Sequence, residues 1–313
     1  MGSEDLSENP SARVPRAAED LSRASRIVSK VGYLGPEGTF SEQALLSSAL
    51  PDSVEPVPQA SIYDTIMALR HGAVEFAIVP IENSLDGSIS VTLDLLADEA
   101  PGLQIAGETL LTVSHSLIAS QLVGLKDINT VISHPQVPGQ CIRFLRNELA
   151  HADIRPASST AQAVREVVAS PGQGLAALGT RLAADIYGAT VIRDGVQDRD
   201  DNETRFVWLS RSEYPSPPPL HASARGQWKT SLVFWGAGAD SPGWLVRCLN
   251  ELARREINLT KIESRPRRER LGHYMFFVDL EGGLSAEPGV TGAVAGMREI
   301  CEEVRVLGSY PAA

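Results

Sequence analysis

The sequence predicts an α/β protein built as a strand–helix core followed by a smaller βαββαβ unit. Three observations carry this. Residues 31–210 alternate short apolar strands with amphipathic helices, the pattern of sheets covered by helices. A proline-rich break follows, with Pro215, Pro217, Pro218 and Pro219 between Ser212 and Gly226, marking a boundary. Beyond it the order is strand 229–235, helix 243–255, strands 259–264 and 273–280, helix 289–300 and strand 304–309, the ferredoxin-like order.

Within the core the expected strands are Val31–Leu34, Glu75–Val79, Thr109–Ser114, Thr130–Ser133, Leu175–Leu178 and Thr204–Leu209, with parallel pairing between them. Helices are expected near 41–49, 61–71, 138–150, 159–169 and 180–187. The helix opening at Pro138 has proline in its first turn and Ile142, Leu145 and Leu149 at core spacing. In the last unit, Val290, Val294, Met297 and Cys301 give the second helix one apolar face. Residues 1–29 are polar and read as a disordered tail.

Composition narrows the function. Hydrophobic residues make up 43% and charged residues 21% of 313, an ordinary globular balance. No apolar run approaches the ~20 residues that span a bilayer, and the N-terminus carries no secretory pattern, so a cytoplasmic protein is expected. The net charge of −11 lies wholly in residues 1–228, because residues 229–313 hold eleven basic and eleven acidic residues. That balance argues against nucleic acid or an anionic membrane as partner, and it leaves any anionic substrate to be held by local groups. Cys141, Cys248 and Cys301 are far apart and read as reduced thiols. The six histidines show no metal-ligand spacing, so neither metal nor cofactor is expected. Gly236-Ala237-Gly238 hints at a dinucleotide loop, but Ser241 stands where the third glycine belongs.

Four segments carry candidate chemistry. Gly35-Pro36-Glu37-Gly38-Thr39-Phe40-Ser41 links a strand to a helix, where Thr39 or Ser41 caps the helix and free N–H groups suit an anion. Pro80-Ile81-Glu82-Asn83-Ser84, with Asp86-Gly87-Ser88, ends another strand, where open sheets bind ligands. Ser133-His134-Pro135-Gln136 leads to Gln140 and Cys141, and Ser158-Ser159-Thr160 opens the next helix. Asn202-Glu203-Thr204-Arg205-Phe206 enters a strand, with Arg205 suited to clamp a carboxylate and Thr204 to donate one hydroxyl. Each segment also fits a plain turn, cap or salt bridge. Together at successive strand ends they suggest one cleft.

In this order the segments GPEGTFSE (35–42), PIENSLDGS (80–88), SHPQ…QC (133–141) and NETRF (202–206) resemble the prephenate dehydratase family. Residues 259–266, LTKIESRP, resemble the ESRP segment of the ACT regulatory domain that many members carry. The resemblance spans about residues 31–311. It implies a two-subdomain core like that of periplasmic binding proteins, about 30–108 with 196–211 and 109–195, then a linker (212–227) and an ACT domain (228–313).

It also implies decarboxylative dehydration of prephenate to phenylpyruvate, a lyase reaction of L-phenylalanine biosynthesis. The implied catalytic residues are Thr204, Asn83, Gln140 and Ser133, with Thr204 donating to the departing hydroxyl. Thr39, Glu82, Ser84, Ser88, Ser159, Thr160, Arg205 and Phe206 are the implied substrate contacts. Backbone N–H groups near Gly38, Ser84 and Ser159 are further anion holders. Glu82 reads either as catalytic or as a helix-end residue. L-Phenylalanine is the implied effector, held by Gly243, Leu245, Asn258, Leu259, Glu263 and Ser264 across two copies, which calls for a homodimer or homotetramer. Where the family carries Gly-Ala-Leu this chain has Gly243-Trp244-Leu245, so Trp244 is expected in the effector pocket or the subunit interface. Arogenate dehydratase, a non-aromatising prephenate decarboxylase and a binding-only regulator are the alternative functions.

Overall fold

The structure, a computed structural model, describes residues 28–212, 218–221, 226–236 and 241–313. Of the expected tail (residues 1–29), residues 1–27 lie outside the described residues, as do much of the linker and residues 237–240 of the glycine-containing loop, whereas Ser29 already belongs to the first strand.

Three sheets organise the chain. The first has the order β2 (Val54–Gln59), β1 (Ser29–Leu34), β3 (Phe76–Asn83), β11 (Glu203–Arg211), β5 (Leu103–Thr112), with the two-residue β4 (Gly87–Ser88) paired to β3. Strand β3 is central, and Phe76–Val79 is an unbroken buried apolar run, as a strand covered on both faces requires. Strand β2 contains Pro56 and Pro58 and sits at the edge, bonded to β1 alone among these strands. Proline is tolerated there because a missing N–H breaks no second ladder.

Helices α1 (Phe40–Ser48), α2 (Ile62–Arg70) and α3 (Ser90–Asp94, continued by a π-type turn to Glu99) pack on this sheet. The second sheet has the order β10 (Thr190–Arg193), β6 (Ser116–Ala119), β9 (Leu175–Gly179), β7 (Thr130–Ser133), β8 (Asp153–Pro156). Its helices are α4 (Val137–Gln140), α5 (Ile142–Glu148), α6 (Thr160–Ala169) and α7 (Arg181–Tyr187).

Both sheets are mixed, where parallel pairing was expected. The chain leaves the first sheet after β5 and returns to it as β11, which runs antiparallel to β3 and β5. The strand expected at Thr109–Ser114 is the end of β5, bonded to β11, so the crossing lies at 113–115 and not at 108. The helix expected over 138–150 breaks at Cys141, whose backbone is non-helical at φ −125° and ψ 25°. Asp198 holds the break open: its carboxylate accepts from the N–H groups of Ile142 and Arg143, and its own N–H donates to Gln140 O. Leu145 and Leu149 are buried as expected, but Ile142 is exposed and Cys141 takes its place in the core.

The third sheet is antiparallel in the order β13 (Leu259–Pro266), β14 (Tyr274–Glu281), β12 (Trp228–Trp235), β15 (Glu303–Pro311), with α8 (Trp244–Ala253) and α9 (Pro288–Arg298) on one face. Trp244 lies in the core between this sheet and its helices, with its ring centroid 5.9 Å from Phe234 and 6.0 Å from Phe276. Its indole N–H donates to Ile300 O at 3.1 Å. Trp244 is therefore a packing residue, turned inward by the amphipathic helix, and it also forms part of the wall of the pocket beside Gly243 and Leu245.

The opposite face of the sheet, through Val233, Met275, Phe277, Leu307 and Tyr310, shares a core with Val79, Ile81, Ile105, Val207 and Leu209 of the first lobe. Gly308 makes this contact possible, since a Cβ there would strike the Ile105 backbone.

Candidate active site

The cleft between the two lobes encloses about 400 Å³. Its walls are the Gly35–Ser41 loop, the end of β3 with Asn83 and Asp86, the turn from His134 to Gln140, the start of α6 at Ser158–Thr160, and Asn202, Thr204 and Phe206. Two hydrogen bonds tie the lobes at its rim: Thr180 Oγ1 donates to Gly38 O at 2.6 Å and Tyr187 Oη to Glu37 O at 2.7 Å. Gly38 is at φ +84° with its Cα against Ala183, so only glycine fits that approach.

Thr204 sits at the mouth of β11 opposite Asn83 of β3. The Asn83 amide is fixed at both ends. Its Oδ1 accepts from the N–H groups of Leu85 and Asp86, each at 2.9 Å, and its Nδ2 donates to Asn202 Oδ1 at 2.8 Å and Thr204 Oγ1 at 3.0 Å. Thr204 therefore accepts from Asn83, which leaves its own O–H to donate into the cleft. Thr39 caps α1, accepting from Glu42 N at 3.4 Å, and Ser159 caps α6, accepting from Gln162 N at 3.0 Å. Both helix starts border the cleft, and the ten-residue α6 contributes the positive end of its dipole there.

Among the described residues, neither lysine nor arginine lines the cavity. Arg205 was expected to clamp a carboxylate, but strand side chains alternate, so Thr204 and Phe206 face the cleft and Arg205 faces the other way. Its guanidinium is buried against Asp279 at 2.7 Å, and Glu108 and Glu82 at 3.3 Å each. Burial works against that charge, but Asp279 and the neighbouring Tyr310, Glu108 and Glu82 raise the Arg205 pKa further above its usual value.

Glu82 follows the same alternation: it pairs with Arg205 and Lys261 and does not line the cavity. Ser84 and Ser88 do not line it either. Ser84 bridges to the β11 entry, accepting from Glu203 N at 2.9 Å and donating to Asp201 O at 3.3 Å, and its N–H donates to Glu203 O. Ser133 lies beneath the cleft floor, buried, with its hydroxyl unpartnered among the described residues, while its neighbour His134 lines the wall. The Gly38 N–H is already committed to Glu42 Oε2 at 2.5 Å, so it holds no anion.

Thr39, Asn83, Gln140, Ser159, Thr160, Thr204 and Phe206 are thus brought together as expected. Cys141 is a core residue, its thiol pushed up to about 12 by burial and then by Asp198. Two polar residues of the cleft, His115 and Asn202, have no assigned role in the sequence pattern. His115 and Asn202 are 1% and 2% exposed, and both touch Gln140. Asn202 opens the NETRF segment, so its signal was present; His115 stands in the crossing between β5 and β6 with none.

Gly243 and Leu245 line a separate pocket of about 350 Å³ in the third unit, floored by Trp244. Asn258, Leu259, Glu263 and Ser264 are not among its walls, so one chain does not assemble the expected effector residues. Arg265 of the ESRP segment is instead held by Asp94 of the first lobe through two hydrogen bonds, at 3.0 and 2.8 Å.

The sequence pattern of the prephenate dehydratase family matches residues 31–214. The chain belongs to that family. A Mycobacterium marinum protein named prephenate dehydratase is 40% identical over 292 residues, 91% of this chain and 89% of its own length. The Arthrobacter aurescens prephenate dehydratase, solved in complex with L-Phe, superposes with a TM-score of 0.78 at 33% identity, covering 90% of this chain and 89% of that one. A structure named GqqA, described as a novel type of quorum quenching acylase, superposes at 0.77 with 28% identity, covering 91% and 98%. The cleft residues of this prephenate dehydratase family member lie within the matched region, and the relatives' coverage of about nine-tenths of the chain extends beyond residue 214.

Proposed function

We infer that the cleft converts prephenate to phenylpyruvate, CO₂ and water. The family match over 31–214 carries this reading, and the donor set of the cleft supports it. In the reaction the bond from ring carbon to carboxylate breaks and its electron pair enters the ring. The C–OH bond opposite breaks, and the departing hydroxide takes one proton from solvent to become water. Aromatisation drives the exchange, so no nucleophile is needed.

The Thr204 hydroxyl donates to the oxygen as negative charge builds on it; an aliphatic hydroxyl is too weak an acid to give up its proton, so it stabilises by hydrogen bonding. With Arg205 committed elsewhere and the Thr39 hydroxyl already donating to Leu34 O, the two substrate carboxylates fall to neutral donors: the N–H groups in the first turns of α1 and α6, with the hydroxyls of Ser159 and Thr160. Gln140 and Asn83 supply and orient further donors, and Phe206 walls the ring. Ser133, which does not reach the cavity wall, has only an indirect role in this reading.

The two helix-covered lobes joined by two crossings suit a periplasmic-binding-protein-like core, and the βαββαβ unit suits an ACT domain over residues 228–313. L-Phenylalanine is its proposed effector, supported by the L-Phe complex of the Arthrobacter aurescens relative. The effector residues divide between the Trp244 pocket and β13. That division favours an effector site shared by two copies, in a homodimer or homotetramer of a cytoplasmic enzyme.

Purified protein supplied with prephenate is expected to form phenylpyruvate, followed by its absorbance in alkali, and to turn over arogenate more slowly. Faster turnover of arogenate would reassign the substrate, and no phenylpyruvate at all would leave a binding-only protein.

A further inference from the structure

We propose that His115 and Asn202 are positioning residues that set the direction of one hydrogen-bond chain, so that Gln140 and Thr204 both present donors to the substrate. The chain runs His115–Gln140–Asn202–Asn83–Thr204, and its polarity follows from one end. Asn83 Oδ1 is occupied by two backbone N–H groups, so its amide nitrogen must face Asn202 and Thr204. Asn202 Oδ1 therefore accepts, and Asn202 Nδ2 faces Gln140 Oε1 at 3.4 Å. Gln140 Oε1 is then an acceptor, and its nitrogen turns toward Asp86 Oδ2 at 3.5 Å, a carboxylate that can only accept.

His115 Nε2 lies 2.9 Å from the same Gln140 oxygen, so it must carry the proton. His115 Nδ1, buried and without a partner among the described residues, is then a bare lone pair and not a stranded donor. The ring is held edge-on against Phe40, with centroids 5.4 Å apart, and the His115 N–H is anchored on Gln197 Oε1 at 3.0 Å. Among the described residues no charged group acts on the imidazole, and burial lowers its pKa, so it stays neutral and keeps this tautomer.

The inference rests on the cleft being the reaction site; wild-type turnover tests that reading separately. Two measurements test His115 itself. In the full chain labelled with ¹⁵N-histidine, the His115 resonance, identified by its loss in His115→Gln, is expected to show the Nε2–H tautomer. The Nδ1–H tautomer would overturn the proposal whatever the activity.

The second measurement compares His115→Gln with His115→Asn. The longer amide reaches the place of Nε2 and restores the donor, whereas the shorter one reaches only that of Nδ1. His115→Asn is expected to lose at least ~10-fold in kcat, part of the ~10²–10³ lost with a whole transition-state donor, at a KM changed by less than ~3-fold. His115→Gln is expected to recover most of that loss. Equal kcat in the two variants, at any level, would reduce His115 to a packing residue.

Discussion

Arg205 Nη1 lies 2.7 Å from Asp279 Oδ2 across the junction between the first lobe and the C-terminal sheet. One residue before Arg205 stands Thr204, the hydroxyl of the cleft. The same strand thus presents a polar donor to the substrate cavity on one face and a buried cation to the third unit on the other.

Removing Arg205 would leave Asp279, Glu108 and Glu82 facing one another with Lys229 and Lys261 as the remaining cations. Arg205→Ala is expected to lower unfolding free energy by about 3–5 kcal/mol, the cost of breaking a buried ion pair from one side. Urea titration measures it. A variant as stable as wild type would show the cluster to be dispensable.

Thr204→Val removes the hydroxyl at constant shape, and Thr204→Ser keeps it. The Val variant is expected to lose at least ~10²-fold in turnover, with Ser retaining clearly more. Equal phenylpyruvate formation by the two would remove Thr204 from the reaction.

Trp244 fills the core between α8 and the C-terminal sheet and also walls the pocket beside Gly243 and Leu245, so Trp244→Ala removes core packing and part of that wall together. A loss of about 3–5 kcal/mol is expected for this truncation. Calorimetry reads the stability, and phenylalanine inhibition of the same variant is expected to weaken. Tighter inhibition at unchanged stability would place the indole in the effector site after all.

His115 gives a pH signature. Its pKa is lowered in the folded state by burial, opposed by the Gln140 hydrogen bond. Below the ordinary histidine value of about 6.5 the unfolded chain takes up a proton that the folded one refuses. The stability carried by neutral His115 is therefore complete above that value and lost as pH falls toward the folded pKa. The drop in melting temperature from pH 7.5 to 5.5 is expected to be smaller in His115→Gln than in wild type. Identical drops would show that His115 titrates as an exposed histidine does.

Much of the cleft was legible in the chain. Loops rich in Gly, Asn, Ser and Thr at the ends of apolar strands belong where open sheets bind ligands, and Thr39, Asn83, Gln140, Ser159 and Thr204 do meet there. The βαββαβ unit was equally plain, because each of its elements has a strong period and a clear break. The edge strand β2 was hidden by its two prolines. The kink at Cys141 was hidden because Asp198, which caps it, is remote in sequence.

Local pattern determined which residues form strands, caps and turns, since those depend on neighbours a few positions away. Tertiary structure alone decided what each strand face meets. Alternation already separates Thr204 from Arg205, but only the docking of β14 brings Asp279 to Arg205 and withdraws that cation from the substrate. The polarity of the chain from His115 to Thr204 is of the same kind. An amide or an imidazole has no preferred direction until distant partners, here Gln140, Asn202 and Asn83, assign donor and acceptor to each end.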